Sequence, residues 1–396
     1  MNPRKRAARS SSQGQRGNWK PKGAFNIQEL PQALVIDILS RLSIKALYSC
    51  RCLCKDWLHI IHDPQFARLH LLRSPISILI KTSPRAREQR KFDLIHIAGS
   101  PMRVERMRFA TKNVLPVCPV SVVKLMNSCN GLLCVCEWMR YDWVYVCNPI
   151  LGEYISIPFP DRNRHYSIDF VALGFNTRTN EYKIVQTNYY SNYAHEPEAM
   201  IYTIGTGVWR SIGKPPSGCR GGPIPFNSFL HGALHWIPVY YCPSPSIQSF
   251  DFEREEFRPL LLPPQVNKYN DLRLGVLKGC LFLCVFGGDG RKSDMWLMKN
   301  YGVQESWTKV LVIEHLYPRI YSALSNVYEP ILFLSDVEIL MAYDRFVVRY
   351  NLETKCLEKT RIVQTRSQFQ AFGYYPGFVS LHDVANGEEV KRYILK

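Results

Sequence analysis

The sequence predicts a mainly β protein, with a short helical module near the N-terminus followed by a β-propeller of about six blades. Three observations predict it. The apolar pattern changes near residue 75 from helical spacing to the alternation of short strands. A strand-turn-strand unit then recurs at intervals close to 50 residues. The 396 residues include 26 prolines and 23 glycines with only 21% charged residues, a composition of many short elements joined by tight turns. Hydrophobic residues at 46% are ample for a core in a chain of this length.

The first 26 residues are expected to be a disordered basic tail: Arg4, Lys5, Arg6, Arg9, Arg16, Lys20 and Lys22 stand there without an acid among Ser, Gly and Gln. This composition fits a solvated tail or a nuclear-import signal. A second basic stretch, 81–112, holds nine basic and three acidic side chains, so the two stretches account for most of the net charge of +17. The start lacks the apolar run of a signal peptide, and no Asn-x-Ser/Thr site with x other than Pro occurs. The chain is therefore expected in the nucleus, the cytoplasm or both, with its 13 cysteines reduced. The longest stretch without Asp, Glu, Lys or Arg, Gly221 to Phe250, contains five prolines, so no membrane helix is expected.

Residues 27–73 form the helical module. Leu30-Pro31 opens it, because proline loses nothing in a first helical turn. Leu34, Ile38 and Leu42 recur at helical spacing, widened by Val35 and Leu39. Ser43 can cap a second helix carrying Ile44 and Leu47, and a third carries Trp57, Leu58 and Ile61 until Asp63-Pro64 stops it. Three helices in roughly 40 residues bury too little area to be robust alone, so the module needs a partner surface.

From Pro75 the repeat takes over. Tyr154, Trp209, Phe257, Trp307 and Leu357 each follow a small polar turn, at intervals of 55, 48, 50 and 50 residues. This is the kelch period, and 50 residues hold the four strands of one blade. Counting back one period reaches a weaker unit at Phe92 to Ile97 and Val104. Ring closure is expected to join Ile76–Ile80 to Phe378–Leu381, giving a propeller over 75–382 and a C-terminal tail over 383–396.

Motifs that could carry chemistry are weak. His231 and His235 have the spacing of a zinc-protease pair, but Gly232 stands where a general base is needed and the alternation reads as strand. Cys50, Cys52, Cys54, His59 and His62 lie along short helices instead of the separated turns of a structural zinc site. Cys134 and Cys136 fall on one face of a strand and are expected in the core. The Gly205-Thr206-Gly207 and Gly287-Gly288-Asp289-Gly290 turns lack the following helix that phosphate cradling needs. No catalytic residue, metal or cofactor is assigned.

Residues 27–72 resemble the F-box family, through Leu30-Pro31, Asp37-Ile38-Leu39-Ser40-Arg41-Leu42 and Cys50-Arg51-Cys52-Leu53-Cys54-Lys55-Asp56-Trp57, with Phe66 and His70 following. Asp37 replaces the usual Glu, Ser43 the usual Pro and Ser49 a common Arg. Residues 75–382 resemble the kelch-like F-box-associated domain of plant proteins, through Asn127-Ser128-Cys129-Asn130-Gly131-Leu132-Leu133, Asn148-Pro149, Gly174-Phe175-Asn176, Glu181-Tyr182-Lys183-Ile184-Val185 and Gly232-Ala233-Leu234-His235-Trp236. The resemblance implies a non-catalytic substrate receptor of a Skp-cullin-F-box ubiquitin ligase, bound through a Skp-family adaptor to cullin and RING subunits and marking an unknown protein for proteasomal degradation. It implies an adaptor face formed or supported by Leu30, Pro31, Ile38, Leu39, Leu42 and Trp57, to which Leu47 of the second helix is added. Candidate substrate contacts are the aromatic loop residues Tyr189, Tyr190, Tyr193, Tyr240, Tyr241 and Tyr317 with Arg319. Two rival readings are a propeller enzyme, glycan-acting or copper-dependent, and nucleic-acid binding through the two basic stretches, the latter disfavoured.

Overall fold

Helix α1 (Gln32–Leu39) starts where the Pro31 carbonyl accepts from Leu34 N at 2.9 Å and Val35 N at 3.2 Å. Helix α2 (Ile44–Cys50) is capped by Ser43, whose hydroxyl accepts from Ala46 N at 3.4 Å. Helix α3 (Lys55–His62) ends at Asp63, as expected, but Asp63 also begins a fourth helix, α4 (Pro64–Arg73). Its carboxylate accepts from Gln65 N at 2.7 Å, and Pro64 occupies the first helical position. The expected three-helix module is thus a four-helix one, because a residue pair that stops one helix is also a good start for the next.

The computed structural model describes residues 30–82, 91–98, 103–110, 123–137, 142–160, 166–190, 196–216, 225–238, 246–266, 271–286, 292–314, 328–343, 345–363 and 369–392. The N-terminal basic tail and the glycine turn at 287–290 lie outside them.

Six sheets follow the helices. Blade 2 is β4 (Val123–Cys129), β5 (Leu132–Glu137), β6 (Trp143–Asn148) and β7 (Glu153–Pro158). Blade 3 is β8 (Tyr166–Asn176), β9 (Glu181–Tyr190), β10 (Glu198–Thr203) and β11 (Trp209–Gly213). Blade 4 is β12 (Phe229–Leu230), β13 (Ala233–Trp236), β14 (Ser246–Asp251) and β15 (Glu256–Leu261). Blade 5 is β16 (Asp271–Leu277), β17 (Cys280–Phe286), β18 (Lys292–Met298) and β19 (Trp307–Glu314). Blade 6 is β20 (Glu329–Phe333), β21 (Glu338–Tyr343), β22 (Phe346–Asn351) and β23 (Leu357–Lys359). Blade 1 combines β1 (Ser77–Thr82), β2 (Lys91–Ala98) and β3 (Arg103–Ala110) with β24 (Phe369–Tyr374).

Every pair within a blade is antiparallel, and β4 touches β8, β16 touches β20 and β20 touches β24, with β13 taking the place of the short β12 against β8 and β16, which puts these strands innermost. The five periodic markers start or nearly start the fourth, outermost strands. Where the marker is tryptophan, its indole donor reaches the neighbouring blade. Trp209 Nε1 donates to the carbonyl of Pro158, the last residue of β7, at 2.8 Å, and Trp307 Nε1 to that of Leu261, the last residue of β15, at 3.0 Å. The inner strands are joined by amides. Asn127 of β4 donates to Leu173 O at 2.8 Å and accepts from Leu173 N at 2.9 Å, and Asn227 donates to Val276 O at 2.8 Å. Gly174 follows Leu173 because a Cβ there would lie 2.1 Å from the Phe252 ring of blade 4.

The ring closes through β1 and β24, paired from Ser77↔Tyr374 to Thr82↔Phe369. The closing strand is therefore 369–374 and not the expected 378–381. Phe378 and Leu381 are buried, but Ser380 caps a short helix, α5 (Leu381–Val384), so the apolar residues there pack against the sheet without joining it. The expected tail also contains structure: β25 (Lys391–Arg392) pairs with β7 and makes blade 2 five-stranded. Blade 4 departs from the repeat in the other direction. Its first strand has only two residues, and the preceding Phe226 packs on Phe372 of β24 at 4.5 Å between ring centroids. Blades 1 and 4 face each other across a six-bladed ring, so this contact reaches across its centre.

Asn127→Ala leaves the buried Leu173 N–H and C=O without their partner and should cost about 2–3 kcal/mol. Urea unfolding with an unchanged slope and a lower midpoint checks it.

Candidate adaptor face and substrate end

The helical module divides its apolar side chains between two sides. Val35, Leu39, Ile44, Leu47, Ile61, Phe66 and Ala67 are buried in one cluster with Leu79, Phe92 and Leu94 of blade 1 and Leu133, Tyr145, Ile150 and Leu151 of blade 2. On α1, Leu34 and Ile38 stay 51% and 43% exposed, and Leu53 and Leu58 remain 69% and 37% exposed. With Leu72, five of the thirteen most exposed large apolar residues described lie in residues 30–73, a small fraction of the chain. A helix one residue out of register with itself explains the split: Leu34/Ile38 and Val35/Leu39 are both four apart, and one residue turns a helix by about 100°.

Seven residues were expected at this face. Pro31 and Ile38 are exposed; Leu30, Leu42 and Trp57 are half-buried at the margin of the cluster. Leu39 and Leu47, at 1% and 0% exposure, hold α1 and α2 on the propeller and support the face from beneath. Leu34, Leu53 and Leu58 were absent from the expected set. For Leu34 the signal was present in its spacing of four from Ile38.

Polar groups set the frame of the face. Asp37 accepts from Arg41 through Nε at 3.1 Å and NH2 at 3.0 Å, and from Arg73 of α4 at 2.6 Å. The two guanidinium groups hold its carboxyl below the usual range. Arg73 also donates to Ser40 Oγ at 2.7 Å, tying α1 to α4. The hydroxyl of Ser43, where the F-box pattern has proline, donates to Glu105 of β3 at 3.0 Å, so this departure links the module to blade 1. Arg51 donates to His62 Nε2 at 2.9 Å; burial and this neighbour push the imidazole below its ordinary pKa, keeping it the acceptor.

Arg68 of α4 donates to Asn180 in the β8–β9 turn at 2.5 Å, and Leu151 lies in the β6–β7 turn. The module thus sits at the end of the ring that carries the first-to-second and third-to-fourth strand turns. The strand ends next to the expected substrate residues, Pro238 and Glu314, belong to the opposite end. Tyr193, Tyr240, Tyr241, Tyr317 and Arg319 lie outside the described residues; Tyr189 and Tyr190 are the last two residues of β9.

The histidine pair is not on a helix. His231 (φ 50°) and Gly232 (φ 77°) form the β12–β13 hairpin turn, a conformation that favours glycine at the second position. His235 of β13 is fully buried, with Nδ1 3.0 Å from Ser228 O and Nε2 2.8 Å from Tyr301 Oη. Among the described residues no three His, Cys, Asp or Glu side chains gather to hold a metal. Cys134, Cys136 and Cys147 are buried in blade 2, and burial pushes the Cys147 thiol up to about 12. Cys54 caps α3, its sulfur accepting from Trp57 N at 3.5 Å, while Cys50 is buried and Cys52 exposed.

Comparison with known proteins agrees with this architecture. The family model described as the F-box domain matches residues 27–69, and that described as the F-box associated beta propeller domain matches residues 94–379. The Arabidopsis thaliana F-box protein At3g07870 is 28% identical over 322 residues, 74% of each chain. The F-box/kelch-repeat protein At3g23880 of the same plant is 27% identical over 308 residues, covering 74% of this chain and 81% of its own. The F-box protein CPR1, also from Arabidopsis thaliana, is 24% identical over 383 residues, 86% of each chain.

Burial lowers the His235 pKa to about 4. Between its ordinary value near 6.5 and about 4 the unfolded chain binds the proton and the folded chain does not, so stability is complete above about 6.5 and falls as the pH drops through this window. Denaturant titrations at pH 7, 5.5 and 4.5 should show a loss on the order of 3 kcal/mol from this residue. His235→Gln should flatten that part of the profile.

Proposed function

Because the chain belongs to the F-box associated β-propeller family and carries an F-box ahead of its propeller, we propose that it is the substrate-recognition subunit of a Skp-cullin-F-box ubiquitin ligase. The helices bind a Skp-family adaptor, which connects the chain to cullin and RING subunits, and the propeller holds a protein substrate for ubiquitination and degradation. The observation that carries this reading is the outward pair Leu34 and Ile38, flanked by Leu53 and Leu58, on a module whose other apolar face is already buried against the propeller. A small helical surface of this kind gains about 25 cal/mol per Å2 of apolar area covered by a complementary partner.

No side chain of this chain need act on substrate. Holding a lysine-bearing protein beside a conjugating enzyme on one scaffold replaces a bimolecular encounter with an effectively intramolecular one. The receptor's contribution is then rigidity and placement. The substrate end is the one opposite the F-box, where the connections β9–β10, β13–β14 and β19–β20 emerge, and the nucleus and cytoplasm are the compartments in which such a receptor works.

Replacing two exposed residues tests adaptor binding without disturbing the core. Leu34→Glu with Ile38→Glu should weaken binding to a purified Skp-family adaptor on the order of 100-fold, with the unfolding midpoint unchanged. Unaltered affinity in isothermal titration would refute the assignment.

A further inference from the structure

The segment after the last propeller strand runs between the F-box and the ring. On its F-box side, Ser74 Oγ lies 3.4 Å from the Pro376 carbonyl it donates to, the Phe378 ring meets His70 edge-on at 5.6 Å, and a Cβ on Gly377 would lie 3.5 Å from Leu71 of α4. On its propeller side, the Asn148 amide donates to Gly377 O at 3.0 Å and Val379 O at 2.8 Å while its carbonyl caps Ile150 N at 2.8 Å. Tyr374 donates to Gly131 O at 2.6 Å, and a Cβ on Gly131 would come within 2.9 Å of Gly377 N. A side chain at Gly131 would force the layers apart.

Beyond this crossing the segment is anchored a second time. Glu153, 1% exposed at the start of β7, accepts from Ser380 Oγ at 2.9 Å, Leu381 N at 2.8 Å and Arg392 at 2.8 Å. A buried carboxylate is costly unless its lone pairs are filled, and here all three donors come from the C-terminal segment. Leu381 and Ala385 are buried in the blade 2–3 core, and Tyr202 donates to Glu388. None of these contacts is needed for ring closure, which β24 completes by Tyr374.

We propose that residues 375–392 are a strap whose function is to lock the F-box onto the propeller, so that the direction of the adaptor face relative to the substrate end is set by the C-terminus of the chain. Direct contacts between F-box and ring also exist, through the apolar cluster that Val35, Leu39, Leu47 and Phe66 share with blades 1 and 2 and through the polar pairs Ser43–Glu105 and Arg68–Asn180. To these the strap adds a buried aromatic ring against the His70 of α4 and is held on its far side by Glu153. The consequence for ubiquitin transfer rests on the receptor reading above; the mechanical role does not.

Hydrogen exchange on the full-length protein tests it. A chain stopped after Tyr375 keeps all six blades and should show backbone amides of α4 exchanging at least tenfold faster, with a larger radius of gyration by X-ray scattering. Phe378→Ala combined with Glu153→Gln is the second variant, which keeps every residue of the chain and should give the same acceleration in α4 with blades 3–6 unchanged. Exchange in α4 within twofold of the unaltered protein in either folded variant would overturn the strap. Adaptor affinity is measured separately: its absence in the unaltered chain would defeat the receptor reading, and only α4 exchange bears on the strap.

Discussion

The pairing of Phe369–Tyr374 with Ser77–Thr82 is the interaction on which the rest depends. A propeller is held together between blades mainly by side chains, so its first and last sheets are stable only when one strand from each end of the chain completes a common blade. Here the innermost strand of blade 1 comes from the C-terminus and its other three from the N-terminal side. The pairing removes two open edges at once. It also brings the residues after 374 beside those before 77, which places the end of the chain against the helices.

Interblade adhesion rests on a few repeated devices. Outer strands are joined by indole donors at Trp209 and Trp307, inner strands by the amides of Asn127 and Asn227, and ring-to-glycine contacts such as Phe252 on Gly174 fill the space between. The amide of Asn127 satisfies backbone groups that would otherwise be buried unpaired, and all three devices help fix the rotation of one blade on the next. Where blade 4 loses most of its inner strand, Phe226 and Asn227 turn into the channel and contact blades 1 and 5.

The F-box follows the same economy. Four short helices cannot bury a stable core by themselves, and they use one apolar side on the propeller while leaving the other open. Asp37, Arg41 and Arg73 bind the helices to one another at the surface, where charge pairs add little strength but do set orientation. Among the buried titratable groups of the propeller, His235, Cys134 and Cys147 are held neutral by burial and act as packing and hydrogen-bonding elements.

Much of this was legible in the order of the residues. The change of apolar period near residue 75, the 50-residue spacing of Tyr154 to Leu357 and the Leu30-Pro31 opening are local or periodic signals, and they determined the class of fold, a blade number of about six and the position of the helical module, while the exact count came from the sheets. Tertiary structure alone decided which apolar residues of the helices stay exposed, because Leu34/Ile38 and Leu39/Leu47 are equally apolar and only packing against blades 1 and 2 separates them. It also decided the closing strand and the fate of the last residues. Phe369–Tyr374 and Phe378–Leu381 read alike as short apolar runs, and the choice lies in distant partners, Ser77–Thr82 for the first and Asn148, Glu153 and His70 for the second. Contacts between residues more than 200 positions apart leave no local mark in the sequence that makes them.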